Sequence, residues 1–233
     1  MIDTYQRALI VGAGDGLSAS LARALAAAGL KVGLAARNVD KLQPLIAETG
    51  AVAHPCDVTQ PDQVDALFVH MDRELGGSPD VVVYNPSARV RGPFIELDRE
   101  GVANALNVTA YGAFLVAQAA AKRMLPNQHG AILFTGASAS VKGYPHSAPF
   151  AMGKFALRGM AESIARELQP HGIHVAHFVI DGAIRNPGRA EPPDAPDSML
   201  DPDAIARTYL HVLHQDRSAW TFEVALRPWV EKF

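Results

Sequence analysis

Cys56 is the only cysteine in the 233 residues, which excludes an internal disulfide and with it the cross-linked scaffolds of small secreted proteins. Standing at the end of an apolar segment, it reads as a small core thiol. Uninterrupted apolar runs of bilayer-spanning length are also lacking, so no transmembrane helix is expected. The first strand begins within a few residues of Met1, too soon for a signal peptide, and a cytoplasmic protein is the expectation. Charge of either sign is scarce in blocks. The formal balance of -3 is spread along the chain, which argues against nucleic acid or a membrane surface as a partner. There is no linker and no long repeat, so residues 1–233 read as one domain, long enough to bury a sheet on both faces.

What the chain does contain is a regular alternation of strand and helix. Ala8 to Val11 is an apolar run that ends in Gly12-Ala13-Gly14-Asp15-Gly16, after which Leu17, Leu21 and Leu25 recur at helical spacing. Further strands are predicted over 31–36, 52–56, 80–85, 131–134, 173–180 and 220–226. The intervening helices are expected near 38–48, 60–75, 101–124, 147–169 and 203–214. Such alternation implies a parallel sheet with right-handed crossovers. One stretch breaks the rule: 187–202 carries Pro187, Pro192, Pro193, Pro196 and Pro202 with neither period, and is read as a substrate lid.

A glycine turn between a first strand and a first helix lets a pyrophosphate approach backbone amides, and the helix N-terminus favours its negative charge. Gly12, Gly14 and Gly16 stand in that context, which separates a dinucleotide turn from an ordinary tight one. The run from Gly12 to Ser18 resembles the G-x-x-x-G-x-G turn of the short-chain dehydrogenases/reductases, with Ser18 in place of the last glycine. Cys56-Asp57-Val58 is similar to the family's adenine-binding Asp-Val pair, Tyr84-Asn85-Pro86-Ser87 to its N-N-A-G, and Asn107 to its helix asparagine. Phe150-Ala151-Met152-Gly153-Lys154 falls on Y-x-x-x-K, and Asp181-Gly182 on the Pro-Gly after the sixth strand.

This resemblance, which spans essentially the whole chain, implies a Rossmann-type doubly wound parallel α/β sheet of about seven strands in three layers. It places Gly12, Gly14, Asp15, Gly16, Leu17, Asp57, Val58, Asn85, Lys154, Gly182 and Ile184 on a nicotinamide dinucleotide. Arg37, at the end of the second strand, suits the 2′-phosphate of NADP, although Asp15 would repel it; NAD is the alternative.

In the family a tyrosine handles the proton, a lysine one turn later lowers its pKa, and a serine polarises the carbonyl. Here Lys154 is present and Phe150 has the ring without the hydroxyl. The serine position falls on Ala137, with Ser138 adjacent. The resemblance therefore implies an NAD(P)-dependent oxidoreductase acting on a small carbonyl or alcohol, with Lys154, Asn107, Ser138, Phe150 and Tyr144 as candidate catalytic positions. Tyr144 and His146 are the candidate substitute proton sources. The alternative is a non-catalytic dinucleotide-binding sensor or partner subunit, to which Val11, Ser18, Ser87, Ala137 and Phe150 all point as departures. A Rossmann methyltransferase would leave Lys154 unexplained.

Metal binding is not expected: His174 and His177 should point to opposite faces of one strand, and His211 and His214 have no third ligand. Arg89 and Arg91 follow the fourth strand, where they either meet an anionic substrate or remain solvated. The helix with Phe150, Ala151, Phe155, Leu157, Met160 and Ile164 is apolar around much of its circumference. With the pairing seen in relatives, that predicts a homodimer or homotetramer.

Overall fold

The computed structural model describes residues 5–231. Seven parallel strands form one sheet in the order β3-β2-β1-β4-β5-β6-β9. In chain order these are β1 (Arg7–Val11), β2 (Lys31–Ala36), β3 (Val52–Pro55), β4 (Val81–Tyr84), β5 (Gly130–Thr135), β6 (Ile173–Ile180) and β9 (Glu223–Leu226). The central strands are apolar throughout because both of their faces are covered; β4, β5 and β6 are buried at every residue. That uniformity made them legible as strands. The doubly wound sheet expected from the sequence is the one observed.

Helices α1 (Leu17–Ala27), α2 (Gln43–Thr49) and α7 (Pro202–Leu213) cover one face, with Leu21, Leu25, Leu45, Tyr209 and Val212 packed on Ala8, Ile10 and Phe178. Helices α3 (Pro61–Glu74), α5 (Gly112–Met124) and α6 (Ala148–Leu168) cover the other, where Phe68, Met71, Val116 and Leu157 meet Leu9, Val82 and Ile132. Each such fully buried large side chain contributes about 1.5–3 kcal/mol.

Two expectations need correction. The predicted helix over 101–124 is in fact α4 (Arg99–Leu106), a wide π-turn over Asn107–Tyr111, and then α5. Its hydrophobic period survives the extra residue, so the pattern alone could not reveal the break. The segment 187–202 is not irregular to its end. Met199–Leu200 is a strand, β8, paired with β7 (Ala183–Ile184), and Pro202 already belongs to α7, capped by the Asp201 carboxylate. Two-residue strands are too short to show an alternation. The looped part, 185–198, is thus held at both ends.

The order of strands reverses at β1, whose neighbours β2 and β4 run off to opposite sides. The crevice beyond the carboxyl ends of β1 and β4 is the usual ligand position in such sheets.

Candidate active site

The turn after β1 is built to lie close to its neighbours. Gly12 has φ +83°, and a Cβ there would stand 2.7 Å from the Pro86 nitrogen, so only glycine lets the β1 and β4 loops touch. The amides of Gly12 and Ala13 both donate to Ala35 O at 2.9 Å, fixing the turn beside the end of β2. Ser18, a departure from the family pattern, closes it: its Oγ donates to Gly12 O at 3.0 Å and accepts from Asn85 Nδ2 at 2.7 Å. Gly14 borders open space, and Gly16 meets only Asn186 Cβ, at 3.6 Å from where its own Cβ would be. No side chain caps α1, which leaves its N-terminus open to an anion. These features fit a dinucleotide phosphate.

From this turn a cleft of about 890 Å³ runs across the carboxyl ends of β4, β5 and β6. It brings together Gly16, Leu17, Asn85, Ser138, Tyr144, Phe150, Lys154, Gly182 and Ile184 from the sequence-based set. Gly12 and Gly14 lie in the turn itself, and Asp15 is exposed on a neighbouring hollow of about 610 Å³. Arg37 is exposed beyond β2. Asp57 is engaged locally, its Oδ1 accepting from Thr59 N and Oγ1 at 3.0 and 2.8 Å. Val58 points into the core against Gly112, so any contact it makes with a ligand is through backbone.

Asn107 is not where the family comparison put it. It is exposed and does not line the cleft. The π-turn carries Thr109 inward instead: Thr109 is buried, its Oγ1 accepts from Ala88 N at 3.3 Å, and it packs against Gly153, next to Lys154. Tyr84 donates its hydroxyl to Val108 O in the same turn. Sequence reasoning passed over Thr109, and saw Tyr84 only as part of the motif that ends β4, because nothing in the helical period marks a π-turn.

Lys154 is the centre of the cleft. It is 2% exposed, and its Nζ donates to Thr135 O at 2.7 Å. Burial, with the Arg89 charge adding to it, pushes the amine down to about 7. One turn earlier on α6 the Phe150 ring is 6.0 Å from Nζ, and the Arg89 guanidinium lies over that ring at 4.2 Å. Ala137 is buried at the expected serine position, and its amide donates to Ser140 Oγ, which occupies that hydroxyl. Ser138 faces the cleft. Tyr144 is 42% exposed at the rim, with Lys142 Nζ 5.6 Å from its ring. His146, at φ +58°, serves the loop: its carbonyl accepts from Gly92 N at 3.2 Å, and its side chain does not line the cleft.

Behind the cleft, on β6, His174 and His177 take different partners. His174 stacks on Trp220 at 4.6 Å, while His177 Nδ1 donates to Glu223 Oε2 at 3.0 Å. Burial holds the His177 imidazole down to about 4, so it is neutral near pH 7.

The comparisons with known proteins decide the family. The model for short chain dehydrogenases matches residues 6–190. This chain belongs to the short-chain dehydrogenase family. A 3-oxoacyl-[acyl-carrier-protein] reductase, MabA, of Mycobacterium avium is 32% identical over 176 residues, which are 76% of this chain and 66% of that one. The solved short-chain dehydrogenase of Rhodopseudomonas palustris is 33% identical, with a TM-score of 0.83 over 97% of this chain and all 100% of that one. A metagenomic short-chain oxidoreductase in complex with NADP is 26% identical, with a TM-score of 0.84 over 97% and 98% of the two chains. Nicotinamide-dependent hydride transfer is therefore the chemistry of this short-chain dehydrogenase, and the non-catalytic alternative is not favoured.

Proposed function

We propose that this protein, acting as one domain over residues 1–233 with the loop 185–198 as its lid, is an NADP(H)-dependent carbonyl reductase whose proton does not come from the usual tyrosine position. The observation that carries this reading is the buried Lys154, poised at the bottom of the cleft beside the hydroxyl-free Phe150. When bound, the dinucleotide supplies hydride to the carbonyl carbon, and a proton reaching the oxygen completes the alcohol.

The chain's own residues do the rest. Gly14, Gly16 and the open end of α1 receive the phosphates. Arg37, in no ion pair among the described residues, favours a 2′-phosphate at the end of β2. Lys154 spends one N–H on Thr135 O and directs the others toward the ribose. Ser138 polarises the carbonyl, and Tyr144 delivers the proton from the rim. No helix of the described chain is long and apolar enough to cross a membrane.

The test is Phe150→Tyr, alone and with Ala137→Ser, assayed against ketones, aldehydes and quinones. The added phenol, one turn from the Lys154 amine, should raise carbonyl reduction about 100- to 1,000-fold, within the range of a positioned general acid. A double variant that binds NADPH normally and still reduces nothing in the panel would contradict the reading.

A further inference from the structure

The cleft is also lined by three arginines that have no acidic partner among the described residues. Arg89 and Arg91 reach it from the loop after β4, and Arg189 from the lid. Several other arginines find carboxylates: Arg23 pairs with Glu48 at 2.8 Å, Arg158 with Glu223 at 2.7 Å, and Arg185, only four residues from Arg189, with Asp201 at 3.1 Å. The three cleft arginines make no ion pair among the described residues. Of the two carboxylates that line the cleft, Asp181 is held by Lys142 and Arg227, both at 3.6 Å, and Glu231 is exposed and pairs with none of the three.

All three arginines are solvent-exposed where they line the cleft. Partial burial and the charges of Arg91 and Arg189 together hold the Arg89 guanidinium below its ordinary pKa, and Arg89 in turn depresses Lys154. Like charges gathered around a concave site repel one another and focus a positive potential into it. An oxyanion entering the cleft relieves that repulsion and receives the forked N–H groups of a guanidinium. Arg89 is held beside Phe150 by its stacking on that ring, and Arg91 and Arg189 line the same cleft.

We infer that the carbonyl substrate of this protein carries a negatively charged oxyanion, a carboxylate or a phosphate ester, that Arg89, Arg91 and Arg189 bind. This rests on the reductase reading above and names its substrate class. The lid arginine gives the segment 185–198 a role: an anion that Arg189 shares with the β4 loop ties the lid down over the substrate.

The experiment is calorimetry on the NADPH-loaded protein, in which the cofactor's phosphates have already taken their own sites. The probes are two matched pairs, levulinate against methyl levulinate and dihydroxyacetone phosphate against dihydroxyacetone. The charged member of at least one pair should bind about 10- to 100-fold tighter at low salt, the range for hydrogen bonds to a charged group. The pair that responds distinguishes carboxylate from phosphate, and the preference should shrink toward unity in Arg91→Gln/Arg189→Gln. Equal binding of charged and neutral members, or no measurable binding of either, overturns the inference. So does a variant that weakens NADPH while leaving the charge preference intact, which would assign the arginines to the cofactor. A charged probe that binds as expected and is not reduced upholds the anion site and counts against the reductase; neutral probes bound and reduced as well as charged ones do the reverse.

Discussion

Lys154 is an amine taken out of water without a carboxylate beside it, and its titration should be visible in both rate and stability. Its folded pKa of about 7 lies below the 10.5 of an ordinary lysine. Between those values the unfolded chain still holds a proton that the folded one has released, so this group makes stability rise with pH from about 7 to 10.5; below 7 its destabilising effect is complete. Lys154→Met removes the buried charge. Urea midpoints of wild type and variant, compared without cofactor at several pH values, should draw together as pH rises through that window. A gap independent of pH would mean that Lys154 is not titrating there. Phe150 and Lys154 were legible from their resemblance to the family's Y-x-x-x-K motif, whose i, i+4 spacing puts both on one helix face. The loss of Asn107 to the surface was not, nor was the use of Ser18 as a clasp between the β1 turn and Asn85, because both depend on contacts made across the fold.

Among the elements, the π-turn between α4 and α5 has the most consequence for the site. It brings Thr109 against the helix that carries Lys154, and the buried Tyr84 hydroxyl satisfies a carbonyl within it. Gly112 follows the turn because a Cβ there would stand 2.7 Å from the Tyr84 hydroxyl oxygen. Tyr84→Phe strips a hydrogen bond from the Val108 carbonyl, and the expected cost is about 0.5–1.5 kcal/mol in denaturant-measured stability. An unchanged midpoint would show that the hydroxyl does not support the turn. The strands and most helices could be read from hydrophobic pattern, since a parallel sheet covered on both faces demands unbroken apolar runs. The β7–β8 pair, by contrast, left no trace in a stretch dominated by proline.

For the whole molecule, the surface left open by α5 and α6 points to assembly. Phe114, Met152 and Phe155 are 43%, 49% and 48% exposed, and an apolar hollow of about 610 Å³ lies between Met152, Phe155 and the loop at Tyr144. Met160 and Ile164, expected on the same open face, are half-buried beside a smaller hollow near Leu125. A patch of this kind is costly in water, and light scattering at micromolar concentration should find a dimer or tetramer; a stable monomer would contradict the assembly.

The central claim concerns chemistry, and isotope transfer tests it without relying on any variant. With NADPH carrying deuterium at the transferable C4 position and a panel of charged carbonyl compounds, the unmodified protein should deliver deuterium to the carbinol carbon of a product, faster than it does from labelled NADH. Tight NADPH binding with no deuterium in any product would contradict the account.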